Sequence, residues 1–351
     1  MNHARTETDS SAPSRRRLLR TAAAGGAALA ATTLPAGTAQ AAQKGLTGRR
    51  RHGRSPIIAK AQGDAPQIES AKSSRATTEL LEGFFAAKSA RNPSAAMSFF
   101  SRRSTTYIDS TVGWSFPSWQ ALHDLFAQYM PGWPAQGASY MTRVVGGDTG
   151  AIVFFANAPG TFGANELRVA GIVDIRRGSI HRWIDYWDGR HFGTDATNAL
   201  RLPADQWPSD FGEPAVGEQA HPAMTRASHA LVSALRTHDA DALDGLLAVD
   251  VRFEDLPSHV LVTGRRSTVA YLTGPNASLP YAAHNLSVRH VVGSAVGGGY
   301  EWLAPGHQVD HGLVALELDD SGAITRLTSV WDGSRVTAGA LSALAAQAIE
   351  G

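Results

Sequence analysis

The chain of 351 residues contains no cysteine. That excludes disulfides, thiolate metal sites, iron–sulfur clusters and a cysteine nucleophile. It also lacks a Gly-x-Ser-x-Gly elbow, a phosphate-cradling glycine loop and a dinucleotide fingerprint, so neither serine-hydrolase nor nucleotide chemistry is expected. Lysine is scarce: Lys88 is the last in the chain. It lies on the first predicted helix, which argues against a Schiff-base role. No metal-ligand spacing is present either, since His307 and His311 share strand parity but have no third partner. The longest mildly apolar stretch, 21–34, is rich in Ala and Gly and is followed by Pro35. It is too short and too weakly apolar for a membrane span of about 20 residues. Neither a cofactor nor a metal is expected.

Charge is also low, at 18% of residues, and sums to +1. The sum hides three unlike parts. Residues 1–41 carry +3, residues 42–73 carry +5 and residues 74–351 carry −7. The part with globular patterning is therefore acidic and has no long basic run, which argues against nucleic acid as a partner.

The first part reads Ser14-Arg15-Arg16-Arg17-Leu18-Leu19-Arg20, then the Ala/Gly stretch, then Ala39-Gln40-Ala41. A basic start, an apolar middle and a small-x-small end form an export signal, with cleavage expected after Ala41. The paired arginines resemble a twin-arginine signal, a route that exports folded proteins. The expectation is a secreted protein that folds without disulfides and keeps no membrane insertion once the signal is removed. Residues 42–73 show no hydrophobic period and read as a flexible basic spacer.

From residue 74 the chain repeats itself. Ile180-His-Arg-Trp-Ile-Asp-Tyr-Trp-Asp-Gly189 corresponds to Ile324-Thr-Arg-Leu-Thr-Ser-Val-Trp-Asp-Gly333, and Thr106-Tyr107-Ile108-Asp109 to Arg252-Phe253-Glu254-Asp255. Two separate matches at nearly one offset indicate duplication. Each copy predicts a helix (76–90; 224–237), a second short helix (94–101; 239–248, capped by Asp239), a strand and a third helix (117–129; 265–273). Alternating strands joined by Gly-rich turns close each copy. Helices first and a curved antiparallel sheet afterwards is an α+β layout. The expected organisation is a first domain over 74–196, a Pro-containing linker over 197–218 and a second domain over 219–351. Whether the copies pair with each other or form a homodimer stays open.

The element order, Tyr-x-Asp and Trp-Ile-Asp-Tyr-Trp-Asp resemble the nuclear-transport-factor-2-like superfamily, in particular its SnoaL-like enzymes. The resemblance covers most of 74–195 and, more loosely, 221–340. It implies two cone-shaped α+β barrels, each a sheet wrapped around helices and open at one end to a small molecule. Epoxide hydrolases of this superfamily carry a general-base Asp where Asp185 stands and hold water with residues at the places of Tyr107 and Asp109. Their Arg-x-Asp pair is missing from 152–157, and the partner Glu of related polyether cyclases has no match in 137–145.

Strand alternation places His181, Trp183, Asp185 and Trp187 on one face. A carboxylate between tryptophans, facing a second carboxylate and a tyrosine, suits proton transfer. Asp109, Asp185 and Tyr107 are the catalytic candidates in the first copy. Trp183, Trp187 and His181 are expected to line the pocket. The second copy has Ser329 at the place of Asp185 and Leu327 at that of Trp183; it keeps Asp255 and adds His311 as catalytic candidates, with His284 as a pocket candidate. The repeated Trp-Asp-Gly reads as packing followed by a turn. The expected activity is cofactor-independent cyclisation or isomerisation of an apolar polyketide- or terpenoid-like molecule. The alternatives are a non-catalytic extracellular binder of hydrophobic ligands and an epoxide-opening hydrolase or cyclase.

Overall fold

A computed structural model describes residues 67–274 and 279–348. The candidate export signal and spacer residues 42–66 lie outside the described residues. No helix among the described residues is long and apolar enough to cross a membrane.

The protein is α+β, with two six-stranded sheets of identical topology. The first unit runs α1 (Arg75–Ser89), α2 (Pro93–Met97), β1 (Thr106–Asp109), β2 (Trp114–Phe116), α3 (Trp119–Tyr129), β3 (Ser139–Gly147), β4 (Gly150–Asn157), β5 (Leu167–Arg176) and β6 (Ser179–Tyr186). Between the units lie α4 (Thr194–Leu200) and the short α5 (Glu213–Val216). The second unit repeats the order as α6 (Pro222–Thr237), α7 (Ala240–Leu246), β7 (Leu247–Asp255), β8 (Val260–Thr263), α8 (Arg265–Thr273), β9 (Ser287–Gly293), β10 (Gly297–Leu303), β11 (His311–Leu318) and β12 (Ile324–Val330). It closes with α9 (Ala338–Gln347).

Side-chain caps start these helices. Ser74, Ser118 and Asp239 each accept a backbone N–H of the first turn, satisfying donors the helix itself cannot. The sheets are mixed rather than antiparallel throughout. β1 pairs with β6 and β7 with β12 in parallel, while the other neighbours are antiparallel. The reason is topological: hairpins order β3 to β6, and the first strand fills the remaining edge of β6 in the direction set by α1 and α2.

Each sheet curls around its own helices. In the first unit Leu81, Phe84, Phe85, Phe100, Phe126, Phe155 and Trp183 form one buried cluster. The outer faces of the two sheets pack on each other through Ile152, Phe154, Ile172, Ile184, Val292, Leu313 and Ala315. Every residue of β4 is buried because both of its faces are covered, which accounts for the unbroken apolar run of its sequence. Buried charge crosses this interface. Arg182 pairs with Asp174 at 3.2 Å and with Glu301, and it donates to the Phe211 carbonyl. Tyr186 also donates to Glu301, at 2.7 Å, and His290 meets Asp174 at 2.8 Å.

Two segments differ from the sequence reading, and two turns take on a further contact. Residues 69–73 of the expected spacer run along β3, with Glu69 N–H donating to Thr142 O and Val144 N–H to Glu69 O; the open edge of β3 supplies the partners. The stretch expected as a linker is packed, with Phe211 1% exposed between the units. The two Trp-Asp-Gly turns also face each other. A Cβ on Gly189 would collide with Ser334 and Asp332, and one on Gly333 would come within 2.9 Å of Arg190 Nε. Glycine is favoured there by the close approach of the other unit.

Candidate active site

The register of β1 on β6 builds the site. It places Tyr107 beside Trp183 and Asp109 beside Asp185, so all four side chains face the inside of the first cone. The Tyr107 hydroxyl donates to Asp185 Oδ2. The Trp183 indole N–H donates to Asp185 Oδ1 at 2.6 Å. Asp109 accepts the Trp187 indole N–H on both oxygens at 3.0 Å, and backbone N–H groups of Thr111 and Val112 at 3.1 and 3.3 Å. Asp185 is 6% exposed and lies deep, while Asp109 and Tyr107 are only half-buried. The pair therefore has an inner and an outer carboxylate.

Burial raises Asp185 above the ordinary carboxylate range, and the Tyr107 hydroxyl, the Lys88 ammonium and the Trp183 N–H draw it back. Asp109 is pushed up to about 7, first by burial and then by the charge of Asp185, against the pull of Trp187 and two backbone N–H groups. Tyr107 is held well above its usual value by burial and both carboxylates, so it stays a neutral donor. A carboxyl poised near neutrality beside a second carboxylate can both give and take a proton.

Lys88 completes this centre, in contrast to the expectation from its helix. On α1, Leu81, Phe84, Phe85 and Lys88 follow i, i+3, i+4, i+7 spacing and all face the cone. Lys88 is 8% exposed. Its Nζ sits 5.1 Å from the Phe155 ring centroid, 5.7 Å from Phe85 and 5.9 Å from Trp133. Burial lowers it to about 8, with the charge of Asp185 opposing. The signal was legible: position 88 continues the apolar stripe of the helix.

The remaining candidates separate from the centre. Trp187 packs on Phe192, 5.4 Å between centroids, at the cone wall. His181 does not line the cone. Asp174 pairs with Arg182 and Ile175 with Ile180, leaving His181 as the extra residue of a β-bulge. The bulge breaks strand alternation, so Ile180 turns inward and His181 meets Ser104 Oγ at 2.6 Å on the outside. His284 is exposed, 5.4 Å from His307 between ring centroids. His311 lies between the units, its Nε2 3.0 Å from the Ser110 carbonyl and its Nδ1 2.6 Å from Asp310. That pairing is possible because Asp310 precedes β11, where strand alternation does not apply. Asp255 does lie in the second cone, fully buried, accepting from Tyr281, Trp331 and Ser258 N–H. Among the described residues no group of three or more His, Asp or Glu side chains forms a metal cluster.

No family model and no curated protein matches the chain. Solved structures are similar to about a third of it. A steroid delta-isomerase from Pseudomonas aeruginosa is 14% identical, covering 38% of this chain and 93% of its own, with a TM-score of 0.29. A putative polyketide cyclase from Sinorhizobium meliloti is also 14% identical, with coverages of 32% and 99% and a TM-score of 0.27. An NTF2-like protein of unknown function from Cytophaga hutchinsonii is 12% identical, with coverages of 33% and 93% and a TM-score of 0.28.

Proposed function

We propose that the chain is an exported, cofactor-independent acid/base enzyme, a cyclase or isomerase, that acts on a small apolar molecule in the first cone. The observation that carries this reading is the alignment of Asp109 with Asp185 on adjacent parallel strands, with Asp109 pushed up to about 7. Asp109, the accessible member, removes a proton from carbon and returns it elsewhere on the same molecule. Tyr107 stays protonated and donates to Asp185, so the base that faces the carbon is the more accessible Asp109. The aromatic wall of Trp183, Trp187 and Phe155 excludes water and favours an apolar substrate. Export rests on the arginine pair and on Ala39-Gln40-Ala41.

The test uses a β,γ-unsaturated cyclic ketone, because its conversion to the conjugated isomer needs one proton removed and one returned. Turnover is followed by the ultraviolet absorbance of the product. Asp109→Asn is expected to lower kcat by about 10²–10⁴-fold, the usual contribution of a positioned base. Asp185→Asn, which disturbs the charge that tunes Asp109, is expected to lower it by about tenfold or more. Binding of the ketone without conversion by the unaltered protein would support the hydrophobic-ligand binder instead. Full turnover in both variants would overturn the assignment.

A further inference from the structure

The folded body draws almost all its positive charge from arginine. Between residues 74 and 351 nineteen of twenty cations are arginine, and Lys88 is the exception. The difference is chemical. Guanidinium stays charged at any accessible pH, whereas a buried ammonium can shed its proton and become a nucleophile. This one lysine is buried on the helix side of the first sheet, against Phe85, Phe155 and Trp133. Its ammonium makes no hydrogen bond among the described residues, though Asp185 is within Coulombic reach. Beside it, the Trp133 indole N–H is buried and also has no partner. Two adjacent open donors within an apolar wall could both be satisfied by one carbonyl oxygen.

From this arrangement we infer that Lys88 is a catalytic amine and that the substrate class is an aldehyde or ketone, which it takes as an imine. The inference rests on the reading of the first cone as a reaction site, and it names the chemistry that cone performs. Asp185 first accepts one proton from the Lys88 ammonium. The freed amine adds to the carbonyl carbon, and the N–C bond forms as the C–O π bond opens. Asp185 returns its proton to the departing oxygen while the amine nitrogen supplies the other, and the C–O bond breaks to release water. The balance is one ammonium and one carbonyl to one iminium and one water, with Asp185 restored as carboxylate and no change of oxidation state. Trp133 N–H is positioned to hold the carbonyl oxygen before it leaves. The iminium then acidifies the neighbouring C–H bonds, and Asp109 removes one of those protons to give an enamine.

The experiment treats the full chain with benzaldehyde and cyanoborohydride, which reduces an imine to a stable secondary amine, and maps the adduct by proteolysis and mass spectrometry. Lys44, Lys60 and Lys72 are internal controls. Labelling of Lys88 at pH 8 is expected to be at least tenfold faster than at Lys60. Its rate should rise with pH to a plateau above about 8, and in Asp185→Asn it should fall at least tenfold. Lys88→Arg, which keeps the cation, should abolish the adduct at this position alone. Labelling of Lys88 no faster than Lys60 in the unaltered folded protein would overturn the inference, as would an unchanged rate in Asp185→Asn. The two readings fail separately. Loss of ketone isomerisation in Asp109→Asn without a Lys88 adduct removes only the amine. An adduct with undiminished isomerisation in Asp109→Asn removes only the acid/base assignment.

Discussion

The two cones share a frame and differ in their contents. In both, the last residue of the first strand is an Asp that accepts an indole N–H from the tryptophan after the sixth strand: Trp187 to Asp109, Trp331 to Asp255. In both, that strand lies parallel to the sixth in the same register, so Ser329 is the counterpart of Asp185 and Leu327 of Trp183. The same inward spacing on α6 gives Ser228, Leu231, Val232 and Leu235, which ends in leucine where α1 ends in Lys88. At the matching positions the second cone has neither the inner carboxylate, nor its tyrosine, nor its amine. Its remaining carboxylate is sealed: Tyr281 takes the place that stays open on Asp109. The bulk lost at Leu327 is restored from another strand by Trp302, which packs against Gly312. A cone holding a carboxylate pair and a fully packed cone can therefore be built on one topology, because sheet and helices supply the stability and the inner side chains are free to change.

The hardest test of that contrast puts the missing carboxylate back. Ser329 is 0% exposed and its hydroxyl has no partner. Ser329→Asp would set a charge beside Asp255 with no ammonium to oppose it, and unfolding free energy is expected to drop by about 3–5 kcal/mol at pH 7. The penalty should ease at acidic pH, where the added carboxyl is neutral. Urea unfolding at pH 5 and pH 7 reads both, and equal loss at the two pH values would break the comparison.

A smaller effect is expected for Asp255→Asn. Three donors converge on Asp255, and an amide nitrogen would face at least one of them. Stability should fall by about 1–3 kcal/mol, while turnover of the unsaturated ketone stays unchanged. Loss of turnover with normal stability would assign the second cone a share in the chemistry.

The smallest effect is a slope with pH. Asp109 has its folded value raised from 3.8 to about 7. The folded state therefore holds the proton more tightly, and stability declines as pH rises from about 4 to about 7. Lys88 is lowered from 10.5 to about 8, so stability recovers as pH rises from about 8 to about 10.5. Asp109→Asn should flatten the first limb and Lys88→Met the second. A second cone stripped to Asp255→Asn should leave the Asp109 and Lys88 limbs in place.

The repeat, the helix starts, the α+β class and the grouping of Tyr107, Asp109, Trp183 and Asp185 were legible in the chain alone. The first three follow from local periodicity, and two-residue alternation puts Trp183 and Asp185 on one face; Tyr107 and Asp109 joined them through the family resemblance. His181 was mispositioned because one bulged residue reverses that alternation, and no local signal marks the bulge. His311 was ambiguous for a related reason, since a histidine in a strand does not say which face is covered, and His284 lies in the exposed turn before β9. Three further things needed distant segments to meet. Parallel pairing of the first strand with the sixth sets Asp109 against Asp185. Packing of the outer sheet faces on each other buries Arg182 with Asp174 and Glu301 and fixes glycine in both Trp-Asp-Gly turns. Closure of α1 over the sheet is the third, and only that burial turns Lys88 from one cation among many into an amine that can lose its proton near neutral pH.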